Sequence, residues 1–142
     1  MVCTGNVCRS PMAEALLRAR FASRARGTVE SAGISALVGR PADPLAVELL
    51  AGRGIDLSRH RARQLTPELI GRADLVLVME AAQQQAIERL SKAARGRVHR
   101  LGRFGGFEVE DPYRLPRAAF ERALRQIERG LDDFDRAFWK AA

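Results

Sequence analysis

An apolar run without polar alternation, DLVLVME at residues 74–80, restricts the fold of this chain more than any other segment. A strand with one solvent-exposed face alternates apolar and polar residues, whereas a strand that is buried on both faces has a continuous run of apolar residues. Helix-like patterns flank the run at residues 66–70 (TPELI) and 81–94 (AAQQQAIERLSKAA). The run therefore predicts an inner strand of a sheet that is covered by helices on both faces.

The rest of the chain continues the alternation of strands and helices. Strand-like segments lie at residues 28–33 (TVESAG) and 97–101 (RVHRL), and helix-like segments lie at residues 10–23, 43–55 and from 116 onward. Such alternation is typical of the α/β class, and it predicts a doubly wound parallel sheet with helices on both faces. A length of 142 residues is ordinary for one domain, so we expect a single domain over residues 1–142.

Local signals predict the helix starts and the buried helix faces. Ser10, Asp43 and Thr66 each precede a proline, and a capping residue followed by proline is typical of a first helical turn. The spacing of apolar residues predicts a buried face on the first helix at Met12, Ala15, Leu16 and Ala19, and on the last helix at Phe120, Leu124, Ile127, Leu131, Phe134 and Phe138.

Charge and hydropathy limit the classes of partner. The formal net charge of +7 favours anionic partners. We expect no nucleic acid partner, because the arginine clusters at residues 59–63 and 95–103 contain no interleaved aromatic residues for base stacking. No apolar run approaches the ~18 residues that span a bilayer, and the N-terminus lacks a signal-peptide pattern. We therefore expect a cytoplasmic protein without membrane insertion.

Both cysteines of the chain lie in its first ten residues, MVCTGNVCRS, directly before the first helix. Two cysteines cannot form a disulfide framework, and such residues are either small buried hydrophobes or reactive thiols. A loop that leads into a helix N-terminus presents backbone N–H groups and the positive end of the helix dipole, which together bind anions. Gly5 and Asn6 let the backbone close around a small ligand, and Arg9 can grip two phosphate oxygens. The same field favours a nucleophilic thiolate at Cys3.

The segment CTGNVCRS at residues 3–10 matches the C-x5-R-S loop of the low-molecular-weight protein tyrosine phosphatases, a family that the chain resembles along nearly its whole length. The resemblance continues through PMAE, VESAGISALVGRPADPLAV, GIDLSRHRARQLT, ADLVLVME and EDPYR. It implies a flavodoxin-like strand order and hydrolysis of phosphotyrosine through a cysteinyl-phosphate intermediate. The segment ALVG at residues 36–39 resembles the bacterial branch that acts on tyrosine kinases and related proteins of exopolysaccharide export.

The resemblance implies a role for each residue of this loop. Cys3 attacks phosphorus, Arg9 and the loop amides hold the phosphate oxygens, and Ser10 stabilises the thiolate when it leaves. Asp111, in EDPYR, matches the general acid that protonates the leaving tyrosine oxygen and then activates water. No metal or cofactor is implied. The implied phosphate-binding residues are Thr4, Gly5, Asn6, Val7, Cys8, Arg9 and Ser10.

Two further sets of residues carry over from the family. Asn6 matches a residue that holds the shape of the loop through hydrogen bonds to Ser31 and His60. Apart from the resemblance, Cys8 lies on the same loop as Cys3 and is expected to form a reversible disulfide with it, which would switch the enzyme off and shield the nucleophile from irreversible oxidation. The alternative is a small residue packed behind the loop.

Leu37 and Tyr113 match positions that line the mouth of the family's pocket and sandwich an aromatic ring. Leu37 stands where many eukaryotic members have an aromatic residue, and Arg114 stands where a second tyrosine is found. Because these departures remove aromatic surface, we expect weaker stacking on the substrate ring than in those members.

Two alternatives from other functional classes stay open on the sequence. A thioredoxin-coupled arsenate reductase resembles this family in fold and loop, but it passes a disulfide to cysteines farther downstream, and none follows Cys8 here. A non-catalytic phosphate-binding module would keep Arg9 and the loop amides but would have no use for Cys3 or Asp111. Phosphate release from an aryl phosphate, compared with arsenate reduction, separates the three.

The first strand is expected to be short. In this architecture the loop follows the carboxyl end of the first strand, which typically has about five or six residues. Only Met1 and Val2 precede Cys3. We therefore expect an N-terminally shortened form, with its first strand largely missing, that folds less stably or turns over more slowly than a form extended upstream. Comparison of the denaturant midpoints and phosphatase rates of the two forms tests this expectation.

Overall fold

A computed structural model describes residues 1–24 and 26–139 of the chain. Within this part the strands are β1 (Val2–Cys3), β2 (Ala32–Gly33), β3 (Val76–Val78) and β4 (Val98–Arg100). The α-helices are α1 (Arg9–Ala22), α2 (Pro44–Ala51), α3 (Pro67–Arg72), α4 (Ala81–Leu90) and α5 (Arg117–Phe134). A 3₁₀ turn at Lys92–Ala94 follows α4, and a π-helical turn at Asp135–Trp139 continues α5. None of the described helices is long and apolar enough to cross a membrane.

The four strands are parallel, and their order across the sheet is β2-β1-β3-β4. β1 therefore lies inside the sheet, with Val2 opposite Ala32 on one side and opposite Val78 on the other. This is the flavodoxin-like order, so the predicted doubly wound α/β fold is confirmed. The loop that follows β1 consequently emerges between two neighbouring strands, where ligands bind in such folds.

Helices cover both faces of the sheet because successive strand residues point to opposite sides. Leu77 of β3 belongs to the apolar cluster that includes α1, α2 and α5, while Val76 and Val78 belong to the cluster that includes α3 and α4. All of β3 is buried, which confirms the predicted inner strand. The first cluster contains Met12, Leu16, Leu50, Phe120, Leu124, Ile127 and Leu131.

The predicted caps are present on two helices and absent from a third. Asp43 caps α2 by accepting a hydrogen bond from the helix backbone at 2.9 Å, and Thr66 caps α3 in the same way at 3.2 Å. Ser10 does not cap α1, because that helix already begins at Arg9. The Ser10 hydroxyl contacts Cys3 Sγ instead, so the prediction of a Ser10 cap is wrong.

Three predictions are wrong near the ends of elements. The strand predicted at residues 28–33 is reduced to Ala32 and Gly33, the two residues that pair with β1. On α1, Ala19 is exposed and Leu17 joins the apolar cluster. Phe138 is 61% exposed, because the π-helical turn after α5 has a wider period than an α-helix and rotates the apolar stripe.

A cavity of about 520 Å³ lies at the amino end of the sheet. Its walls come from the segments that precede β2 and β3, together with Met1, Leu17 and Trp139. Cys3 is the last residue of β1, at the opposite, carboxyl end of the strand, so the loop at residues 3–10 lies away from most of this cavity.

Candidate active site

The backbone of the 3–10 loop uses its carbonyl groups for protein contacts and leaves its amides unused. The amides of residues 4–8 donate to no protein group in the described part of the chain. Cys8, at the N-cap of α1, gives no side-chain hydrogen bond to the first helical amides. Unpaired N–H groups at a helix N-terminus form an anion-binding nest. The carbonyls from Cys3 to Cys8 accept hydrogen bonds from Ile34, Ser35, Leu37, His60, Asp43 and Met12.

Two backbone features hold the shape of this loop. Asn6 has a φ of +58°, the left-handed conformation that asparagine tolerates better than most residues. Gly33 of β2 lies directly against the loop, since a Cβ atom there would come within 2.6 Å of the Thr4 carbonyl oxygen. A side chain at position 33 would therefore displace the loop.

The fully buried side chain of Asn6 joins three separate segments. Its Nδ2 donates to Ser10 Oγ at 2.8 Å and to Ser31 Oγ at 3.0 Å, and its Oδ1 accepts from the backbone N of Arg63 at 2.9 Å. The Asn6 carbonyl oxygen lies 2.7 Å from His60 Nε2, and since a carbonyl only accepts, this nitrogen carries the proton. The structure thus brings Asn6, Ser31 and His60 together as the sequence predicts.

These hydrogen bonds run in one direction and end on the Cys3 sulfur. Ser31 Oγ donates to the carboxylate of Glu14, which can only accept. Because the single Ser31 proton is used there, Ser31 accepts from Asn6, whose other N–H donates to Ser10. The Ser10 proton is then free to point at Cys3 Sγ, 2.9 Å away. A hydroxyl that donates to sulfur favours the thiolate.

Arg9 is buried beside the loop, with 2% of its side chain exposed, and acceptors surround its guanidinium group. Nη1 pairs with the Glu80 carboxylate and donates to the Val109 carbonyl oxygen at 2.9 Å. Nη2 lies 3.5 Å from Asp111 Oδ2. A buried charge requires such partners, and these fix the position of the guanidinium. The Arg9 contact also brings Asp111 to the end of the sheet where Cys3 lies.

Two residues at the start of α4 reach the loop and were missed by sequence reasoning. Glu80, the N-cap residue, pairs with Arg9. Gln83 is 5% exposed, accepts hydrogen bonds from the backbone of Met79 and Glu80, and donates to Thr4 Oγ1 at 3.2 Å. The available signal was a capping-box pattern, Glu with Gln three residues later, placed directly after an inner strand.

The predicted mouth residues lie in loops beside the 3–10 loop. The backbone N of Leu37 donates to the Gly5 carbonyl at 3.0 Å, and the Leu37 side chain lies above Gly5, 3.7 Å from the position of a Cβ atom there. Asp111 has half of its side chain exposed, and its Oδ1 accepts from the backbone N of Tyr113 at 3.1 Å. Tyr113 is half-buried against the apolar cluster.

Cys3 and Cys8 are both free, buried thiols. Burial raises the pKa of the Cys8 thiol far above its ordinary value, and the negative charge of Asp43 adds to this shift. Cys8 is therefore protonated at neutral pH and a weaker nucleophile than an ordinary cysteine.

The arrangement combines a nucleophile, an anion nest with a buried guanidinium group, and a half-exposed carboxylate at one end of the sheet. These are the parts that a phosphoryl transfer to sulfur requires. The described residues contain no group of three or more His, Cys, Asp or Glu that could hold a metal ion. The structure brings the predicted site residues together, and their catalytic roles stay predictions.

Comparison with known sequences points to one family. The family model described as low molecular weight phosphotyrosine protein phosphatase matches residues 1–141. The probable low molecular weight protein-tyrosine-phosphatase EpsP of Ralstonia nicotianae is 55% identical over 132 residues, which are 93% of this chain and 89% of that protein.

Solved structures show the same fold. Wzb of Vibrio vulnificus, in complex with benzylphosphonate, is 35% identical and superimposes with a TM-score of 0.89, covering 96% of this chain and 95% of that one. The YwlE arginine phosphatase, in a mutant with a phosphorylated active-site serine, is 34% identical with a TM-score of 0.90, covering 98% and 93%.

Proposed function

Because the chain belongs to the low molecular weight phosphotyrosine protein phosphatase family, we propose that it hydrolyses phosphotyrosine in proteins with Cys3 as its nucleophile, Arg9 as phosphate ligand and Asp111 as acid and base. One observation carries this proposal: the amides of residues 4–8 donate to no group in residues 1–24 and 26–139, and they lie beside a cysteine whose sulfur accepts from Ser10. A thiol that served only as packing would have no need of an anion nest at its side.

The first chemical step transfers the phosphoryl group to sulfur. The Cys3 thiolate attacks phosphorus in line with the tyrosine oxygen, an S–P bond forms, and the bond from phosphorus to the tyrosine oxygen breaks. The loop amides and Arg9 hold the three non-bridging oxygens while charge redistributes. Protonated Asp111 gives its proton to the leaving phenolate, whose conjugate acid has a pKa of about 10.

The second step returns the enzyme to its starting state. The Asp111 carboxylate takes a proton from water, the water oxygen attacks phosphorus, and the S–P bond breaks to release inorganic phosphate. Ser10 donates to Cys3 Sγ as negative charge returns to the sulfur, which makes the thiolate a better leaving group. The Asn6 side chain supports this step, because its bond to Ser10 leaves the serine proton for sulfur.

The depth of the nucleophile supports an aromatic phosphate as substrate. Cys3 is only 3% exposed, and Leu37 and Tyr113 lie in the loops beside the mouth. A tyrosine ring holds its phosphate far from the peptide backbone, whereas the phosphorus of phosphoserine is only three bonds from Cα. The relative Wzb binds benzylphosphonate, a phosphonate with an aromatic ring. The depth of Cys3 therefore favours phosphotyrosine over phosphoserine.

Neither alternative gains support from the relatives, whose names are those of tyrosine phosphatases. An arsenate reductase of the thioredoxin-coupled type needs a cysteine downstream of Cys8, and the sequence has none. A binding module would not need Asp111 to lie 3.5 Å from Arg9 with half of its surface open to a ligand.

We also propose that the substrate is a bacterial tyrosine kinase or another protein of exopolysaccharide export, and that the reaction takes place in the cytoplasm. The likeness to EpsP and Wzb supports the first statement. The need to keep Cys3 reduced supports the second, because thiols persist in reducing compartments. Dephosphorylation of a tyrosine kinase encoded beside this gene, followed by phosphotyrosine blotting, tests the substrate.

The central experiment compares peptides of one sequence that carry phosphotyrosine, phosphoserine or phosphoarginine. We expect kcat/KM for phosphotyrosine to exceed that for the other two by about 100-fold or more. Acid quenching during turnover, followed by mass spectrometry, should find one phosphoryl group on Cys3. Arsenate with a thioredoxin system should give no reductase activity.

Three results would contradict the proposal. Faster hydrolysis of phosphoarginine would assign the chain the activity of its relative YwlE. A phosphoryl group on a residue other than Cys3 would remove the assigned nucleophile. Reduction of arsenate would restore the first alternative.

A further inference from the structure

Two loops that touch the 3–10 loop carry exposed arginines at the entrance of the site. The backbone N of Leu37 bonds Gly5, and His60 Nε2 bonds the Asn6 carbonyl, so both loops are fixed against the nucleophile's own loop. They also bond each other, because Ala62 N donates to the Arg40 carbonyl at 2.9 Å. The backbones at Arg40 and Arg61 therefore run next to each other in the loops that contact the 3–10 loop, and both residues are exposed.

A third arginine lies in the loop that carries the general acid. Arg114 is exposed and follows Asp111 by three residues. Its guanidinium carbon is 5.3 Å from the centre of the Tyr113 ring, so the charged group rests on a side chain of the pocket mouth. Arg114 holds this place with a φ of +63°, an uncommon conformation for a residue with a long side chain. We call Arg40, Arg61 and Arg114 the arginine rim.

No carboxylate in the described part of the chain forms an ion pair with the arginine rim. Arg61 Nη1 donates only to backbone carbonyls, those of Ser58 and His60. Some arginines elsewhere on the surface are paired with carboxylates, such as Arg53 with Glu128 and Arg122 with Glu110. Others, such as Arg89 and Arg125, are exposed and form no ion pair with a described carboxylate, so the rim is distinguished by its place beside the 3–10 loop.

Carboxylates in the segments beside the 3–10 loop have partners of their own, and Asp111, the carboxylate of the entrance itself, lies 3.5 Å from Arg9 Nη2. Asp43 caps α2, Glu80 pairs with Arg9, and Glu110 pairs with Arg122. Three positive charges therefore remain uncompensated around a site whose substrate must approach through them. A cleft lined by one sign of charge raises the local concentration of oppositely charged ligands.

We propose that the arginine rim selects protein substrates in which Asp or Glu residues flank the phosphotyrosine. The inference rests on the proposed function and adds to it the charge of the substrate segment. A phosphotyrosine that reaches Cys3 brings its neighbouring residues to the mouth, where planar guanidinium groups bind carboxylates in a bidentate manner. Each exposed ion pair between an arginine and a carboxylate contributes little binding free energy by itself. The selectivity therefore comes from the set of arginines together and from faster association of the acidic peptide.

A peptide fits this surface better than other polyanions. Single-stranded nucleic acid is bound through aromatic surfaces that stack on its bases, and the rim offers a single ring, Tyr113, which Arg114 already covers. An anionic membrane would bind the rim without reference to the pocket that it surrounds. The position of the arginines around a deep phosphomonoester site favours a ligand that enters the site with part of its length.

The experiment uses two phosphotyrosine peptides of equal length, one with Asp and Glu around the phosphotyrosine and one with Asn and Gln in the same positions. At about 0.02 M salt we expect kcat/KM to be about tenfold higher for the acidic peptide, and at about 0.5 M salt the ratio should fall to about twofold. The triple variant R40Q/R61Q/R114Q should bring the ratio close to one at both salt concentrations.

A matched control removes the same charge elsewhere. Arg89, Arg95 and Arg125 are exposed, form no ion pair with a described carboxylate, and lie on α4, after α4 and on α5. The variant R89Q/R95Q/R125Q should keep the tenfold ratio. Far-UV circular dichroism and thermal melts establish whether both triple variants are folded. If the triple rim variant does not fold, Arg114→Gln alone should lower the ratio of kcat/KM for the two peptides in part.

Four outcomes would overturn the inference or its premise. Equal kcat/KM values for the two peptides at low salt would show that the rim does not discriminate by the charge of the peptide. An equal fall of the kcat/KM ratio in both triple variants would assign the effect to the net charge of the protein. Binding to phosphatidylserine vesicles that is lost in the rim variant, with an unchanged peptide ratio, would assign the rim to a membrane surface. No hydrolysis of either peptide would instead overturn the proposed function.

Discussion

The two ends of the sheet are held together by different kinds of interaction. At the carboxyl end, Asn6, Arg9 and Ser10 are polar and buried, and no buried side-chain nitrogen or oxygen of the described residues lacks a hydrogen-bond partner. At the amino end lies a cavity of about 520 Å³, walled in part by apolar side chains such as Leu17 and Ile70.

The difference shows where geometric accuracy is concentrated. Directional hydrogen bonds fix the carboxyl end because a reacting phosphorus tolerates little displacement. Apolar contacts, which have no direction, are sufficient to hold the amino end. Substitutions at the carboxyl end should therefore change turnover, and substitutions at the amino end should change the free energy of unfolding.

The largest expected effect is that of Cys3→Ser. Turnover should fall by about 10⁴-fold or more, because the serine hydroxyl is a far poorer nucleophile and leaving group than a thiolate. Binding of inorganic phosphate, followed by calorimetry, should persist because the amides and Arg9 remain. One phosphoryl group trapped on the serine is compatible with this expectation, but repeated turnover is not.

Asp111→Asn should lower kcat for phosphotyrosine by about 10²- to 10⁴-fold, since the leaving oxygen would depart without a proton. The loss should be much smaller for p-nitrophenyl phosphate, whose phenol is already acidic. Steady-state kinetics on both substrates measure the contrast. Equal losses on the two would mean that Asp111 has another role at this end of the sheet.

Ile70→Ala tests the amino end. Ile70 is 1% exposed and borders the cavity, so its truncation should lower the free energy of unfolding by about 2 to 5 kcal/mol, measured in urea. The kcat/KM of the folded variant should stay within about twofold of the parent. Glu68→Ala, at an exposed position of the same helix, controls for helix propensity. A large loss of turnover in Ile70→Ala would show that the two ends are coupled.

Glu80→Gln weakens one partner of the buried guanidinium group and keeps the size of the side chain. We expect kcat/KM to fall by about tenfold, mainly through weaker phosphate binding. The neutral amide of glutamine holds the Arg9 guanidinium less strongly than a carboxylate does, which leaves the Val109 carbonyl and Asp111 as its other acceptors. Inhibition by inorganic phosphate measures the binding component. An unchanged inhibition constant would show that Val109 and Asp111 suffice to hold Arg9.

The smallest effect concerns Cys8 and oxidation. Peroxide converts the Cys3 thiolate to a sulfenic acid, and attack by the Cys8 sulfur forms a disulfide and releases water. Because burial raises the pKa of Cys8, this step should accelerate as pH rises. After peroxide and then dithiothreitol, Cys8→Ala should recover about two- to fivefold less activity than the parent. Equal recovery, with no bridged peptide by mass spectrometry, would contradict the protective role.

Reasoning from the residues themselves succeeded where the determining contacts are local, whereas the distant contacts of Asn6 with Ser31 and His60 were predicted from the family resemblance. Asp43 and Thr66 act on amides two or three residues away, so their roles are visible in a short segment. β3 (Val76–Val78) was predictable for the same reason, because its burial leaves a continuous apolar run within residues 74–80. The 3–10 loop was recognisable because its nest and its nucleophile occupy one uninterrupted segment.

The contacts that sequence reasoning missed are distant along the chain. Glu80 lies 71 residues from Arg9, and Gln83 lies 79 residues from Thr4. Glu14 lies close to the loop in sequence, but its role depends on Ser31, which only the pairing of β2 with β1 brings near. Ser10 was misread because its local pattern fits a cap while its hydroxyl serves the cysteine.

The separation of Arg9 from Val109 has a consequence for synthesis of the protein. The nucleophile's loop is translated early, but the carbonyl that anchors its arginine is added 100 residues later. Domains fold as units during translation, so a nascent chain that ends before this point carries Cys3 without a completed site. The active site can therefore be completed only late in translation. We expect incomplete chains to lack phosphatase activity.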